Sequence, residues 1–135
     1  CLPDAQESYL DELPQLLNAG IPSFEAYLFG PDAQMVHSDS SLLQLMDAIG
    51  SAGGMLMVHC GNQALLQAAA QRYPLSDSDV FAHYPELCTT QSEAEGVFRL
   101  MTLAQASRCR VVITTIPPNT VNSSAAWLGQ IRNRQ

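Results

Sequence analysis

The chain has 135 residues and a mass of 14.6 kDa, one domain's worth at ~100–200 residues per domain. With 47% apolar and 14% charged residues it has ample material for a core, which excludes a disordered chain, and no apolar run approaches the ~18–20 residues that cross a bilayer. The net charge is −7, all six basic residues are arginine and there is no lysine, which excludes a nucleic-acid partner, a lysine Schiff base, a P-loop lysine and a carbamylated lysine bridging metals.

In chain order, residues 6–18 carry Leu10, Leu13, Leu16 and Leu17 at helical spacing. Pro14 predicts a kink or a second helix start within them, and Gly20 is placed to end the helix. Residues 21–29 are short and dense in apolar and aromatic side chains, which predicts a buried strand with one charge, Glu25. Gly30-Pro31-Asp32 signals a turn. Ser38, Asp39 and Ser40 offer caps to a helix through Ala52, with Leu42, Leu43, Leu45, Met46 and Ile49 on its apolar face and Gly53-Gly54 to stop it. Residues 55–59 form a continuous apolar run, predicting a strand covered on both faces. A helix over 62–72 follows, then an ordered loop or short turns over 73–88. Thr90 and Glu93 make a capping box for a helix over 91–107. Residues 110–116 read as a third strand, stopped by Pro117-Pro118, and Asn122-Ser123 cap a last helix running toward Arg132.

Apolar strands alternating with helices predict a single α/β domain over 1–135 with a parallel sheet, either a small three-layer sandwich or a consecutive piece of a (β/α)8 barrel. In both, function gathers at the strand carboxyl ends, here residues 25–30, 59–62 and 114–119. Cysteines stand at 1, 60, 88 and 109 without metal or redox spacing, so Cys60 and Cys109 read as buried free thiols. No basic and apolar leader opens the chain, so a reducing cytoplasm is expected, and a start at Cys1 implies that something upstream has been removed.

His59 ends an apolar strand, where it serves as a metal ligand, a general base, or a histidine hydrogen-bonded at a strand end. Glu25 is a carboxylate inside an apolar strand, which requires a partner, a bound ligand or partial exposure. His37 reads as solvated in a polar loop, and His83 lies in a mixed segment. Trp127 reads as packing on the last helix, and Thr114-Thr115 and Ser123-Ser124 as strand and cap residues. The GxGxxG, GxxxxGK[ST], GxSxG and HExxH patterns are absent.

Three blocks resemble the cyclic-amide hydrolases: dihydropyrimidinase, hydantoinase, allantoinase and the inactive collapsin-response mediator proteins. LDELPQLLNAGIPSFEAYLF (10–29) resembles their helix and strand reading G-(V/I)-x-S-F-K. SLLQLMDAIGSAGGMLMVHCGNQALL (41–66) resembles the segment ending V-H-x-E-N. SEAEGVFRLMTLAQASRCRVVITTI (92–116) resembles E-A-E-A-x-x-R-x-x-x-L-A followed by a strand. The resemblance implies about strands four to six of a (β/α)8 TIM barrel, the central segment of a longer amidohydrolase-like chain, whose relatives hydrolyse cyclic amides with a metal-bridged hydroxide.

Carried over position by position, the resemblance places the metal-bridging lysine on Glu25, the oxyanion-assisting tyrosine on Gly30 and the first metal histidine on His59. The second metal histidine falls on Ile113 and a substrate-contacting serine on Ile116. The metal residues implied here are therefore His59 and Glu25 alone, and the expectation is a pseudoenzyme acting in subunit assembly or scaffolding, with no cofactor. The alternatives are a hydrolase with altered ligands holding zinc, and a small-molecule binding module. A three-strand piece has two open sheet edges. A homo-oligomer, or the remainder of a longer chain, is thus the expected partner, with no nucleic acid and no membrane.

Overall fold

The computed structural model describes residues 10–30, 32–72 and 84–114. Its elements run α1 (Leu13–Asn18), β1 (Ser23–Tyr27), a 3₁₀ turn (Ala33–Met35), α2 (Asp39–Ser51), β2 (Met55–His59), α3 (Gln63–Arg72), α4 (Tyr84–Leu87), α5 (Thr90–Ser107) and β3 (Arg110–Ile113). The three strands form one parallel sheet in the order β1-β2-β3, so the α/β reading with alternating strands and helices holds. The final helix toward Arg132, and with it Trp127, lies outside the described residues, as do His83 and Ile116.

Pro14 starts a new helix: residues 11–12 form a turn, and α1 begins at Leu13 with the proline in its first turn. Both α1 and α2 end in the same motif. After α1, Gly20 takes φ +91° while its N–H donates to the Leu17 carbonyl at 3.0 Å and the Ile21 N–H donates to the Leu16 carbonyl at 3.0 Å. After α2, Gly53 takes φ +77° with matching bonds to Gly50 and Ile49. The left-handed backbone at each end is what requires glycine.

The strands bury one face. Phe24, Ala26, Leu56 and Val58 turn inward against Leu42, Leu45, Met46 and Ile49 of α2 and Val97 and Leu100 of α5. The alternate residues Ser23, Glu25, Tyr27, Met55, Met57 and His59 are only half-buried. The apolar run 55–59 is therefore not covered on both faces: the buried helical side chains gather on one side of the sheet, and a half-exposed face remains on the other. The strand ends also differ from the sequence reading, since β1 occupies the middle of 21–29 and β3 stops at Ile113 within the described residues. A bridge from Tyr27 to Val36 partly covers the outer edge of β1, with the His37 N–H donating to the Tyr27 carbonyl at 2.9 Å.

The capping box shifts by one residue. Thr89 caps α5, its hydroxyl accepting from the Ser92 N–H at 3.3 Å. Glu93, freed from a capping role, is buried at 5% exposure, and its Oε2 has no hydrogen-bond partner among the described residues. Loss of water around it pushes the Glu93 carboxyl above its ordinary range. His37 is likewise not solvated: it is 2% exposed, with Nδ1 3.3 Å from Ser41 Oγ. The segment read as an ordered loop or short turns before α5 contains the one-turn helix α4.

Three outcomes follow. A methyl group on Gly96 of α5 would press on the Gly61 backbone, with Gly61 Cα at 2.8 Å and Cys60 C at 2.9 Å. Gly96→Ala should therefore cost about 1–3 kcal/mol in urea unfolding, by overpacking. Gly30→Ala, which meets nothing within 4 Å, should change stability by less than ~0.5 kcal/mol. The raised Glu93 carboxyl binds its proton more tightly folded than unfolded, so its contribution is present at low pH and is lost as pH rises. Glu93→Gln should gain on the parent as pH rises above the ordinary carboxylate range, read as the difference in unfolding midpoint.

Candidate functional site

Parallel register brings the sequence-predicted residues together at the carboxyl ends of β1 and β2. Glu25 stands opposite Met57 and Tyr27 opposite His59, all on the half-exposed face. Glu25 Oε1 lies 2.8 Å from His59 Nε2, and the two side chains are 32% and 27% exposed. The Tyr27 and His59 rings stack with centroids 4.4 Å apart and planes 6° from parallel. The imidazole is thus fixed in plane by the tyrosine and in direction by the carboxylate.

β3 places the remaining candidates differently from the sequence expectation. Met57 pairs with Val112 and Val58 with Ile113, so Ile113 shares its face with Leu56 and Val58 and packs toward the helices. It lies on the face opposite Glu25 and His59. Continuing the register sets Thr114 beside His59, with the Thr114 N–H and Oγ1 both donating to the Val58 carbonyl at 3.1 and 3.3 Å. A hydroxyl committed to a backbone carbonyl stands there, not an imidazole.

The segment after His59 is held by contacts the sequence reading did not single out. The Asn62 N–H donates to Ser92 Oγ at 2.8 Å, Arg99 donates to the Gly61 carbonyl at 3.0 Å, and Gly96 between them permits backbone contact. The Asn62 side chain caps α3 by accepting from the Leu65 N–H at 3.1 Å and donates to Glu95 at 2.9 Å. Gln63 binds Gly30 twice, accepting from its N–H at 2.8 Å and donating to its carbonyl at 3.0 Å, so the β1 and β2 ends are tied together. Ser92, Gly96 and Arg99 fall at i, i+4 and i+7, one face of α5, and that spacing was the available signal. Gln63 carried none.

The chemistry available is limited. Burial pushes the Cys60 thiol up to about 12, against the opposing pull of Arg99, and burial raises Cys109 as well, so neither thiol is a nucleophile. Both are buried and free, as expected. Among the described residues no group of three or more His, Cys, Asp or Glu side chains converges. Glu25 and His59 could supply two ligands to one ion, with Glu25 Oε1 and His59 Nε2 already each other's partners and no third ligand side chain converging among the described residues. Together with Thr114 beside His59 and no side chain at Gly30, this donor set does not fit a two-metal centre.

No protein-family model matches the chain. Among curated proteins it is 29% identical over 113 residues to an allantoinase of Desulfitobacterium hafniense, covering 79% of this chain and 24% of that one. It is 23% identical over 106 residues to an L-hydantoinase of Paenarthrobacter aurescens, covering 77% and 23%. Among solved structures, the L-hydantoinase (dihydropyrimidinase) from Arthrobacter aurescens superposes with a TM-score of 0.76 at 22% identity, over 92% of this chain and 29% of that one. A D-hydantoinase superposes with a TM-score of 0.73 at 23% identity, over 83% and 24%. The chain spans about a quarter of the length of the curated relatives it matches. Sequence and fold agree that it is similar to the cyclic-amide hydrolases of the amidohydrolase superfamily, matching a fragment of their TIM-barrel-like fold with three parallel strands.

Proposed function

We propose that this chain is a non-catalytic, dihydropyrimidinase-like domain that serves subunit assembly or scaffolding. The observation that carries the reading is the 2.8 Å contact between Glu25 Oε1 and His59 Nε2. In a metal-dependent relative, zinc would supply a bound hydroxide and polarise the amide carbonyl. Here the carboxylate and imidazole engage each other, Thr114 offers its hydroxyl to Val58, and Gly30 has no hydroxyl to steady an oxyanion. The residues kept at the strand ends serve cohesion.

The assembly half of the proposal rests on what the fold leaves uncovered. One sheet face is half-exposed, and α3 fully buries none of its side chains although Leu65, Leu66 and four alanines lie along it. An exposed apolar face of this kind marks a contact with further protein. A second copy, or the rest of a longer chain, supplies it. Free Cys60 and Cys109 are in keeping with a reducing, cytoplasmic setting. Among the described residues no helix is long and apolar enough to cross a membrane.

Native mass spectrometry with elemental analysis on protein from its natural source tests the reading, alongside turnover of hydantoin and dihydrouracil. The expected result is an assembly, or a longer chain, without stoichiometric zinc and without turnover. One or two zinc ions per chain, with turnover abolished by His59→Ala, would establish an active hydrolase with altered ligands instead. Thermal stabilisation by a cyclic ureide without turnover would make the site a binding module.

A further inference from the structure

Resting on that reading, we propose that Glu25 and His59 form a metal-free tie between the carboxyl ends of β1 and β2, with the Tyr27 ring as the platform that holds the imidazole in place. Three observations converge. Glu25 is not the direct cross-strand partner of His59, which is Tyr27, so the bond runs diagonally across the register and links positions that the backbone ladder does not pair. Both side chains are about seven-tenths buried, so the bond forms in a partly dried setting where a charged acceptor gains more than at an open surface. The ring stack at 4.4 Å and 6° removes the freedom of the imidazole to turn away.

The chemistry of the bond sets the protonation pattern. A carboxylate oxygen only accepts, so Nε2 carries the proton that this bond shares. An Nε2 that donates has no lone pair for a metal. A cation entering between these two atoms would have to expel the proton and break the tie, so no ion sits between Glu25 Oε1 and His59 Nε2 while the tie is made. Around the pair, the cross-strand neighbours Met57 and Thr114 offer no competing charge: Met57 is uncharged, and the Thr114 hydroxyl already donates to Val58. The tie thus links the carboxyl ends of two neighbouring strands on the half-exposed face of the sheet.

The test is a double-mutant cycle in the full native chain, using Glu25→Gln and His59→Phe, the latter keeping a ring on Tyr27 while removing the donor. The expected coupling is roughly threefold to tenfold in the unfolding equilibrium constant. Added zinc alone should leave the parent's melting temperature unchanged. Should either variant fail to fold, the imidazole ¹⁵N spectrum of the parent decides instead, and a single Nε2-protonated form is expected. Additive variants without a zinc response, or a ring averaging between tautomers, would overturn the tie and leave the non-catalytic reading standing. A zinc-dependent rise in melting temperature that Glu25→Gln abolishes would overturn both.

Discussion

The packing of α5 onto the segment after His59 depends on two glycines, Gly96 and Gly61, and much of the strand-end geometry hangs on it. Gly96 lets α5 come down onto the backbone of residues 60–61, and the Ser92 and Arg99 side chains on either side turn that proximity into hydrogen bonds with Asn62 and Gly61. Phe29 presses on Gly61 from the β1 side, so the segment after His59 is gripped from two directions. With Gln63 bonded both ways to Gly30, the ends of β1 and β2 cannot drift apart without breaking these contacts together. His59 sits at the start of this gripped segment, so its position is set by backbone contacts before any side-chain chemistry is considered.

Much of the architecture was legible because its signals are local. Gly20 and Gly53 stop helices for a reason that needs only their own φ, and apolar density marks each strand. The errors came from effects that cross the chain. Side chains alternate between faces of a strand with period two, so an assignment one residue off sends a side chain to the opposite face. Ile113 is such a case: it belongs with Leu56 and Val58, and the position beside His59 is taken by Thr114. His37 lies in a polar stretch but is buried by the edge bridge to β1 and by Ser41 of α2, neither of which is adjacent in the polar stretch that suggested solvation. Thr89 and Thr90 are equivalent as caps in sequence. The choice of Thr89 coincides with Ser92 turning toward Asn62 and Glu93 into the interior.

The candidate site shows the same division. Glu25 and His59 were identifiable as unusual residues in apolar strands, and the register does bring them into contact. Their use is visible only in three dimensions, because it depends on which atoms face each other. The two arginines nearest the strand ends illustrate how little reactive potential is left over. Arg99 donates to the Gly61 carbonyl, and Arg110 donates to the Gly53 and Gly54 carbonyls at the opposite end of β3. Their guanidinium donors hold backbone, and the thiols of Cys60 and Cys109 are kept protonated by burial.

The parallel order β1-β2-β3 also governs how the chain reaches this state. Pairing β1 with β2 joins residues 32 apart in sequence, whereas pairing β2 with β3 joins residues 55 apart. Chain closure alone separates these steps by less than ~0.6 kcal/mol, so entropy barely orders them. Packing does, since α2 lies between β1 and β2 and brings Leu42, Leu45, Met46 and Ile49, all fully buried, to that pair. The β1–α2–β2 unit is therefore expected to gather first, leaving the far edge of β2 unpaired until α5 arrives with β3. During that interval an apolar five-residue strand offers its open edge to any neighbouring chain, so the order of pairing sets how long that edge stays exposed.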